Sequence, residues 1–382
     1  MPIAVSRRHF MGGLAATLGV IGHADGLTAT QAPVKRSRPR LGLAEYDAAA
    51  KLSYNENPYG PSEVVMAAMT SAYRFGNRYN YPDGDIAAEI AAHHGVKPEN
   101  VILGAGSSEI LQVAGRTFLP GGRKVVGVEP TFADVYEYAS GVRAESIILP
   151  LRRDYTQDVD AMVRATRDHH RSVGFVYLCT PNNPTGIVVN RTEVRRLLDG
   201  VPEHVPVLID EAYHHYVEDP GYATSIPYVL EGRNVVVTRT FSKIYGLAGM
   251  RLGYGIAPVA LVDRMRPHCS GSINALVKWA GAAALKDTAS AERVRSVTLQ
   301  LRKKTTAELE KLGFKVLPSD TNFFMVHLRR DVTPVIEAFQ TKGVLVGRQF
   351  PPMVQHLRVS VGTAEEMDRF LTAFREVVAR SA

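Results

Sequence analysis

A chain of 382 residues, 45% hydrophobic and 22% charged, carries enough apolar side chains for two domains with cores, which argues against disorder by composition. Its formal charge of +7 is concentrated at one end, where Arg7, Arg8, Lys35, Arg36, Arg38 and Arg40 against Asp25 place five of the seven charges in the first forty residues. The body is therefore near balance, which argues against a basic nucleic-acid face, and two cysteines, Cys179 and Cys269, form neither a disulfide framework nor a zinc-ligand pattern and are expected as buried thiols.

The first element is SRRHFMGGLAATLGVIG, in which Ser6, Arg7, Arg8, Phe10 and Met11 resemble a twin-arginine export signal. The apolar stretch ends by Gly22, well short of the ~20 residues that a membrane span requires, so no stable membrane anchor is expected. The plain alternative is a solvated basic tail. The signal is expected over residues 1–32, with cleavage at Ala29 or Ala32 and a periplasmic or secreted protein as the result; a cytoplasmic location is the alternative. PVKRSRPR then opens a linker and N-terminal arm placed at 33–62.

From Leu41 onward, short β-branched runs alternate with amphipathic stretches. Strands are expected at 101–103, 124–129, 146–150, 173–179, 205–210, 234–239 and 252–257, mostly separated by helical patterns. This is the signature of an α/β protein with a mainly parallel seven-stranded sheet between helices. That large domain is placed at 63–265. A smaller α+β C-terminal domain at 266–382 begins with two long helical patterns and continues with FKVLP, NFFMVHL and HLRVSV. Its last helix opens on the capping box Thr363–Glu366 and shows Met367, Phe370, Leu371, Phe374, Val377 and Val378 on one stripe.

Four segments at the carboxyl ends of expected strands carry the chemistry, since open α/β sheets bind ligands there. GAGSSEIL (104–111) opens a helix whose backbone N–H groups and Ser107 hydroxyl suit a phosphate, although such a turn is by itself a weak signal. VPVLIDEAY (205–213) ends a buried strand in Asp210 and Glu211. A carboxylate there is costly unless it faces a partner such as a protonated nitrogen; a helix N-cap is the plain alternative. CTPNNPTG (179–186) must be a rigid turn that fixes Asn183 at the strand edge. TRTFSKIYGLAGMRLGY (238–254) sets Lys243 beside Thr240 and Ser242, with Arg251 as a nearby cation that would lower the pKa of the amine for imine formation and offer a fork to a phosphate.

In this order the segments resemble a pyridoxal-phosphate aminotransferase of fold type I (class I/II), with the aspartate-aminotransferase fold, nearest the histidinol-phosphate aminotransferase branch. The resemblance runs from LSYNENPYGPS (52–62) to LRVSVGTAEE (357–366). It implies that Lys243 holds the cofactor as an imine and moves the proton. Asp210 would pair with the pyridinium nitrogen, and Tyr213 and Asn183 would bond the phenolic oxygen. Ala105, Gly106, Ser107, Thr240, Ser242 and Arg251 would hold the phosphate, and Phe132 would stack on the ring. Tyr81 would reach the cofactor of a neighbouring subunit, implying a homodimer with shared active sites. Arg358 would fork onto the substrate carboxylate, or onto the phosphate of a histidinol-phosphate-like amine.

The chain departs from that branch at two substrate positions. GVLVGRQFPPM (343–353) displaces Arg348 by one residue, which on a strand turns the side chain to the other face, and Asn57 stands where some members place a phosphate-contacting tyrosine. The donor, free amino acid or histidinol phosphate, therefore stays open. The resemblance implies transfer of an amino group from an amino acid to a 2-oxo acid. Decarboxylation or elimination on the same cofactor, and a non-catalytic cofactor-binding protein, are the alternatives.

Overall fold

The computed structural model describes residues 41–378; the twin-arginine match, both cleavage positions and the basic linker lie outside them. Twelve strands are present among the described residues: β1 (Ala50–Leu52), β2 (Val101–Gly104), β3 (Lys124–Glu129), β4 (Ser146–Pro150), β5 (Val173–Cys179), β6 (Val207–Asp210), β7 (Val235–Thr240), β8 (Gly253–Ile256), β9 (Lys315–Val316), β10 (Phe323–His327), β11 (Val344–Val346) and β12 (His356–Ser360).

Seven of these form one sheet in the order β2-β8-β7-β6-β5-β3-β4, parallel throughout except for β8, which runs antiparallel to both neighbours. The expected strands differ from the observed ones only at their ends. Every residue of VGFVYLC in β5 is buried, as a strand covered on both faces requires. Alternate residues serve opposite layers. Val176, Leu178, Ile209 and Val237 face a core that includes Ile86, Ile90, Met162 and Leu197. Phe175, Tyr177, Leu208 and Val236 face the other, with Ile110, Leu111, Phe118 and Leu261.

A second, three-stranded antiparallel sheet, β12-β10-β9, is backed by a separate core of Phe324, Val326, Phe339, Leu357, Phe370 and Phe374. The helix Ala364–Val377 that supplies the last two begins with the expected capping box, Thr363 accepting from the Glu366 N–H and Glu366 from the Thr363 N–H.

The two cores do not follow the divisions expected at 62/63 and 265/266. β1 comes from the arm yet pairs in parallel with β11, burying Ala50 and Leu52 in the smaller core. Conversely, the helix Ala275–Lys286 lies past the expected boundary but contributes Val277, Ala280 and Leu285 to the larger core. Cys179 is buried as expected, whereas Cys269 is only half-buried.

Candidate active site

The parallel strands β5, β6 and β7 end side by side, and polar side chains gather there: Asn183 from the turn after β5, Asp210 at the end of β6 and Thr240 at the end of β7. Asp210 closes β6 and is 2% exposed. Its Oδ2 accepts from the Tyr177 hydroxyl at 3.3 Å and its Oδ1 from the Ala212 N–H at 3.1 Å, while no cation pairs with it among the described residues. Burial therefore pushes its carboxyl up to about 6. Asp210 is not a helix N-cap: the helical turn that follows, His214–Tyr216, is flanked by Tyr213. Glu211 points elsewhere and is fully buried, bonded to Arg239 at 2.6 Å and to the Ser225 N–H at 2.6 Å. One acid of the pair thus ties β6 to β7 through Arg239, and the other is left for a ligand.

The turn after β5 is held by Asn182, whose Oδ1 accepts from Thr131 at 2.7 Å and whose Nδ2 donates to the Pro130 carbonyl at 3.1 Å. Asn183 is thereby fixed. Its Oδ1 accepts from Arg358 Nη1 at 2.6 Å, and its Nδ2 reaches the Tyr213 hydroxyl at 3.5 Å. Arg358 is buried on β12 and also donates to the Ser53 carbonyl at 2.7 Å.

Lys243 follows β7 in the loop where Thr240 Oγ1 donates to Ser242 Oγ at 2.9 Å and accepts from the Ser242 N–H at 3.0 Å. Its Nζ donates to the Tyr54 carbonyl at 3.2 Å and lies 5.6 Å from the centre of the Tyr213 ring. Burial and then the Arg358 guanidinium lower its pKa to about 8. Arg251, the cation expected from the sequence, contributes less than Arg358.

Arg251 instead closes the glycine turn. Its guanidinium donates to the carbonyls of Ala105 at 3.2 Å and Ala248 at 3.0 Å, across a Gly106 held at φ +85°. The Ala105 N–H is engaged by Glu109 and the Gly106 N–H by the Gly104 carbonyl. Ser107 then opens the helix Ser107–Phe118, whose first turn has N–H groups without intrahelical acceptors. Ala105 thus contributes an anchor for Arg251, and Ser107 is the member of the trio placed to meet an anion.

The remaining expected residues divide. Phe132 is half-buried just past the end of β3, against the core on that face. Tyr81 is 74% exposed. The Asn57 Nδ2 donates to the carbonyls of Ile244 at 3.0 Å and Gly60 at 3.4 Å, bracing the lysine loop. Arg348 lies beyond the end of β11, so strand alternation does not set its direction. Its guanidinium carbon is 4.3 Å from the Phe350 ring centre, and that of Arg358 is 4.5 Å from the same ring. The two arginines therefore approach one another across Phe350.

Sequence reasoning missed Asn55 and Ser360. Asn55 Nδ2 donates to the Tyr213 hydroxyl at 3.0 Å, and Ser360 Oγ donates to Asn55 Oδ1 at 2.8 Å. The available signal was the spacing of Ser360, two residues from Arg358 and so on the same face of an expected strand.

A carboxylate buried without a counter-ion is stabilised when a protonated nitrogen is brought to it. At the end of β6 that nitrogen fits on a bound ring, with a lysine amine of lowered basicity, a phenol and a helix N-terminus around it. The fold and the site thus suit an α/β enzyme that works on a phosphorylated ring cofactor. The chain belongs to the family described as aminotransferase class I and II, whose model matches residues 49–374, and it is a transaminase.

The histidinol-phosphate aminotransferase of Moorella thermoacetica is 38% identical over 355 residues, covering 91% of this chain and 89% of that one. The structure of histidinol-phosphate aminotransferase from Sinorhizobium meliloti in complex with pyridoxal-5'-phosphate is 25% identical, with a TM-score of 0.82 over 93% of this chain and 99% of that one. Aspartate aminotransferase from Thermus thermophilus, at 20% identity and a TM-score of 0.75 over 86% and 91% of the two chains, shows the shared fold.

Proposed function

We propose that the protein uses pyridoxal 5'-phosphate held at Lys243 to move an amino group from a donor bearing an anionic group, carboxylate or phosphate, to a 2-oxo acid in two half-reactions. The observation that carries this reading is the buried Asp210 carboxyl without a cation at the strand end beside the Lys243 loop. Bound there, the cofactor supplies an aldehyde that receives the amino group and a ring that accepts the electron pair released at the substrate α-carbon.

The chain's own residues do the rest. Asp210 retains a proton on the ring nitrogen, so that the ring remains a good electron acceptor. Tyr213 and Asn183 bond the phenolic oxygen, and Phe132 stacks on the ring face. Ser107, Thr240, Ser242 and Arg251 hold the phosphate, with Gly106 allowing the guanidinium to approach. Arg358 receives the donor's anion, and Arg348 adds positive charge from across Phe350. Lys243 Nζ, with its pKa near 8, takes up and releases the α-carbon proton close to neutral pH.

The working unit is a homodimer in which the exposed Tyr81 reaches the partner's phosphate site. Residues 1–32 direct export by the twin-arginine route, supported by Ser6, Arg7, Arg8, Phe10 and Met11.

The deciding experiment incubates the purified holoenzyme with 2-oxoglutarate and a panel containing histidinol phosphate and aromatic, basic and aliphatic amino acids. Equal yields of glutamate and the donor's oxo product are expected. Release of carbon dioxide without glutamate, or a bound cofactor that no donor converts, would defeat the proposal.

A further inference from the structure

The Tyr213 phenol stands between two side-chain amides, with Asn55 Nδ2 donating to its oxygen at 3.0 Å and Asn183 Nδ2 at 3.5 Å. A phenol has one hydrogen and two lone pairs. Two incoming N–H groups occupy both acceptor positions, so the O–H must point away from them.

Reversing either amide leaves a buried hydrogen without an acceptor, on the Arg358 guanidinium in one case and on the Ser360 hydroxyl in the other. Asn183 Oδ1 is identified by the Arg358 guanidinium, which can only donate. Asn55 Oδ1 is set by Ser360, whose Oγ accepts from the Asn55 backbone N–H at 2.8 Å and donates to Oδ1 at 2.8 Å; a reversed amide could donate to the second Oγ lone pair, but the buried Ser360 hydrogen would then lose its acceptor. In each case the nitrogen is left facing Tyr213. Arg358 and Ser360 lie two residues apart on β12, so one face of one strand orients both amides.

Asn55 is held in one place and one orientation. It is 1% exposed and held at φ +54°, a region that asparagine tolerates better than most residues. All its polar groups are engaged, the carbonyl by Asn322 Nδ2 at 3.0 Å. The two residues before it also meet the site, Ser53 through Arg358 and Tyr54 through Lys243.

We infer that Asn55, oriented by Ser360, is a positioning residue that turns the Tyr213 hydroxyl proton into the cofactor site. This rests on the reading of Tyr213 as a donor to the cofactor's phenolic oxygen. Burial holds the Tyr213 phenol well above its ordinary pKa, so its proton is present and its direction matters. Without the Asn55 donor, a lone pair is freed, the hydroxyl can rotate, and an anionic oxygen in the site loses part of its stabilisation.

The test follows the pH titration of cofactor absorbance in the holoenzyme, together with the cofactor dissociation constant. Asn55→Gly removes the amide but keeps the left-handed backbone unstrained. It should raise the titration midpoint by about half a unit to one unit, because losing a donor to an anion favours the protonated form. Ser360→Ala should act in the same direction by less, and it serves if Asn55→Gly fails to fold. In a double-mutant cycle, Asn55→Gly should add nothing once Tyr213→Phe is present. A midpoint unmoved in both single variants, with only a lower melting temperature, would overturn the inference, as would equal shifts with and without Tyr213→Phe. If Tyr213→Phe itself leaves the midpoint unchanged, the cofactor-site reading falls and takes the inference with it; if Tyr213→Phe moves it and Asn55→Gly does not, only the inference falls.

Discussion

Arg358 donates a 2.6 Å hydrogen bond to Asn183 Oδ1 from a position 6% exposed, with no carboxylate paired to it among the described residues. Burial pulls its pKa down to about 10. Its Nε is buried without a partner, an unusual cost for a guanidinium. Such a group is poised for an incoming anion.

Arg358→Ala should therefore lower kcat/KM about 10- to 100-fold, the value of about 1.5–3 kcal/mol for a charge-assisted bond, and mainly through KM. Arg358→Lys should not restore it, because an ammonium lacks the planar fork that bridges Asn183, Ser53 and the anion. Steady-state kinetics with the best donor from the panel check this; an unchanged KM in Arg358→Ala would remove the residue from the substrate site.

The same guanidinium acts on Lys243. Its charge is the leading one that lowers the amine, after burial, from 10.5 to about 8. Capture of the cofactor aldehyde needs the neutral amine, so its rate should rise with pH to a midpoint near 8 rather than near 10. In Arg358→Ala that midpoint should move upward, since one opposing positive charge is gone. Stopped-flow uptake of the cofactor by the cofactor-free protein at a series of pH values reads both. Borohydride reduction after uptake should tag the peptide containing Lys243, and Lys243→Ala should remove the tag and the turnover.

Much of this was legible in the sequence, for reasons that particular elements make plain. β5, β6 and β7 are parallel and buried on both faces, so VGFVYLC, VLID and VVVTRT stand out as apolar, mostly β-branched runs, and the polar residues at the end of β6 and β7 and in the turn after β5 fall at the ligand edge. β1 was not legible, because three residues carry no period and their partner β11 is nearly 300 residues away. The helix 275–286 reads as helical, but its pattern does not indicate which core receives it. Asn55 and Ser360 meet across 305 positions, a contact that only the folded chain creates. The direction of Arg348 could not be read from strand alternation, because the residue lies past the end of β11, and the bracing of the lysine loop by Asn57 joins residues 187 positions apart.

Asp210 makes the cofactor-free protein sensitive to pH in a defined direction. Its carboxyl is raised from 3.8 to about 6 by burial. Below about pH 4 both folded and unfolded chains keep the proton, and the group costs nothing. Between about 4 and 6 the unfolded chain ionises while the folded one does not, so stability falls as pH rises, by about 2–3 kcal/mol in all. Asp210→Asn lacks this loss. In the absence of cofactor it should therefore gain stability relative to the unmodified protein between pH 4 and pH 7, measured by urea unfolding at both values. With cofactor present the same variant, and Asp210→Ala, should retain weak binding but lose most turnover.

Gly106 and Gly95 both have positive φ but differ in what a side chain would meet. Gly95 sits in the left-handed helical region at φ +67° and ψ +30°, where alanine costs roughly 1 kcal/mol, whereas Gly106 at φ +85° and ψ +165° occupies a region nearly restricted to glycine, where alanine costs about 1–3 kcal/mol. At Gly95 a Cβ would meet nothing within 4 Å, whereas at Gly106 it would land on the Arg251 guanidinium. Arg251 would then have to leave the Ala105 carbonyl and with it the first turn of the helix at Ser107. Gly95→Ala should lower the melting temperature slightly and leave the cofactor dissociation constant alone. Gly106→Ala should weaken cofactor binding about tenfold or more, as expected for losing a charge-assisted contact of at least 1.4 kcal/mol. Fluorescence titration with pyridoxal phosphate on both variants measures the difference. Equal dissociation constants would mean that Arg251 does not hold the phosphate, and that the glycine serves the turn alone.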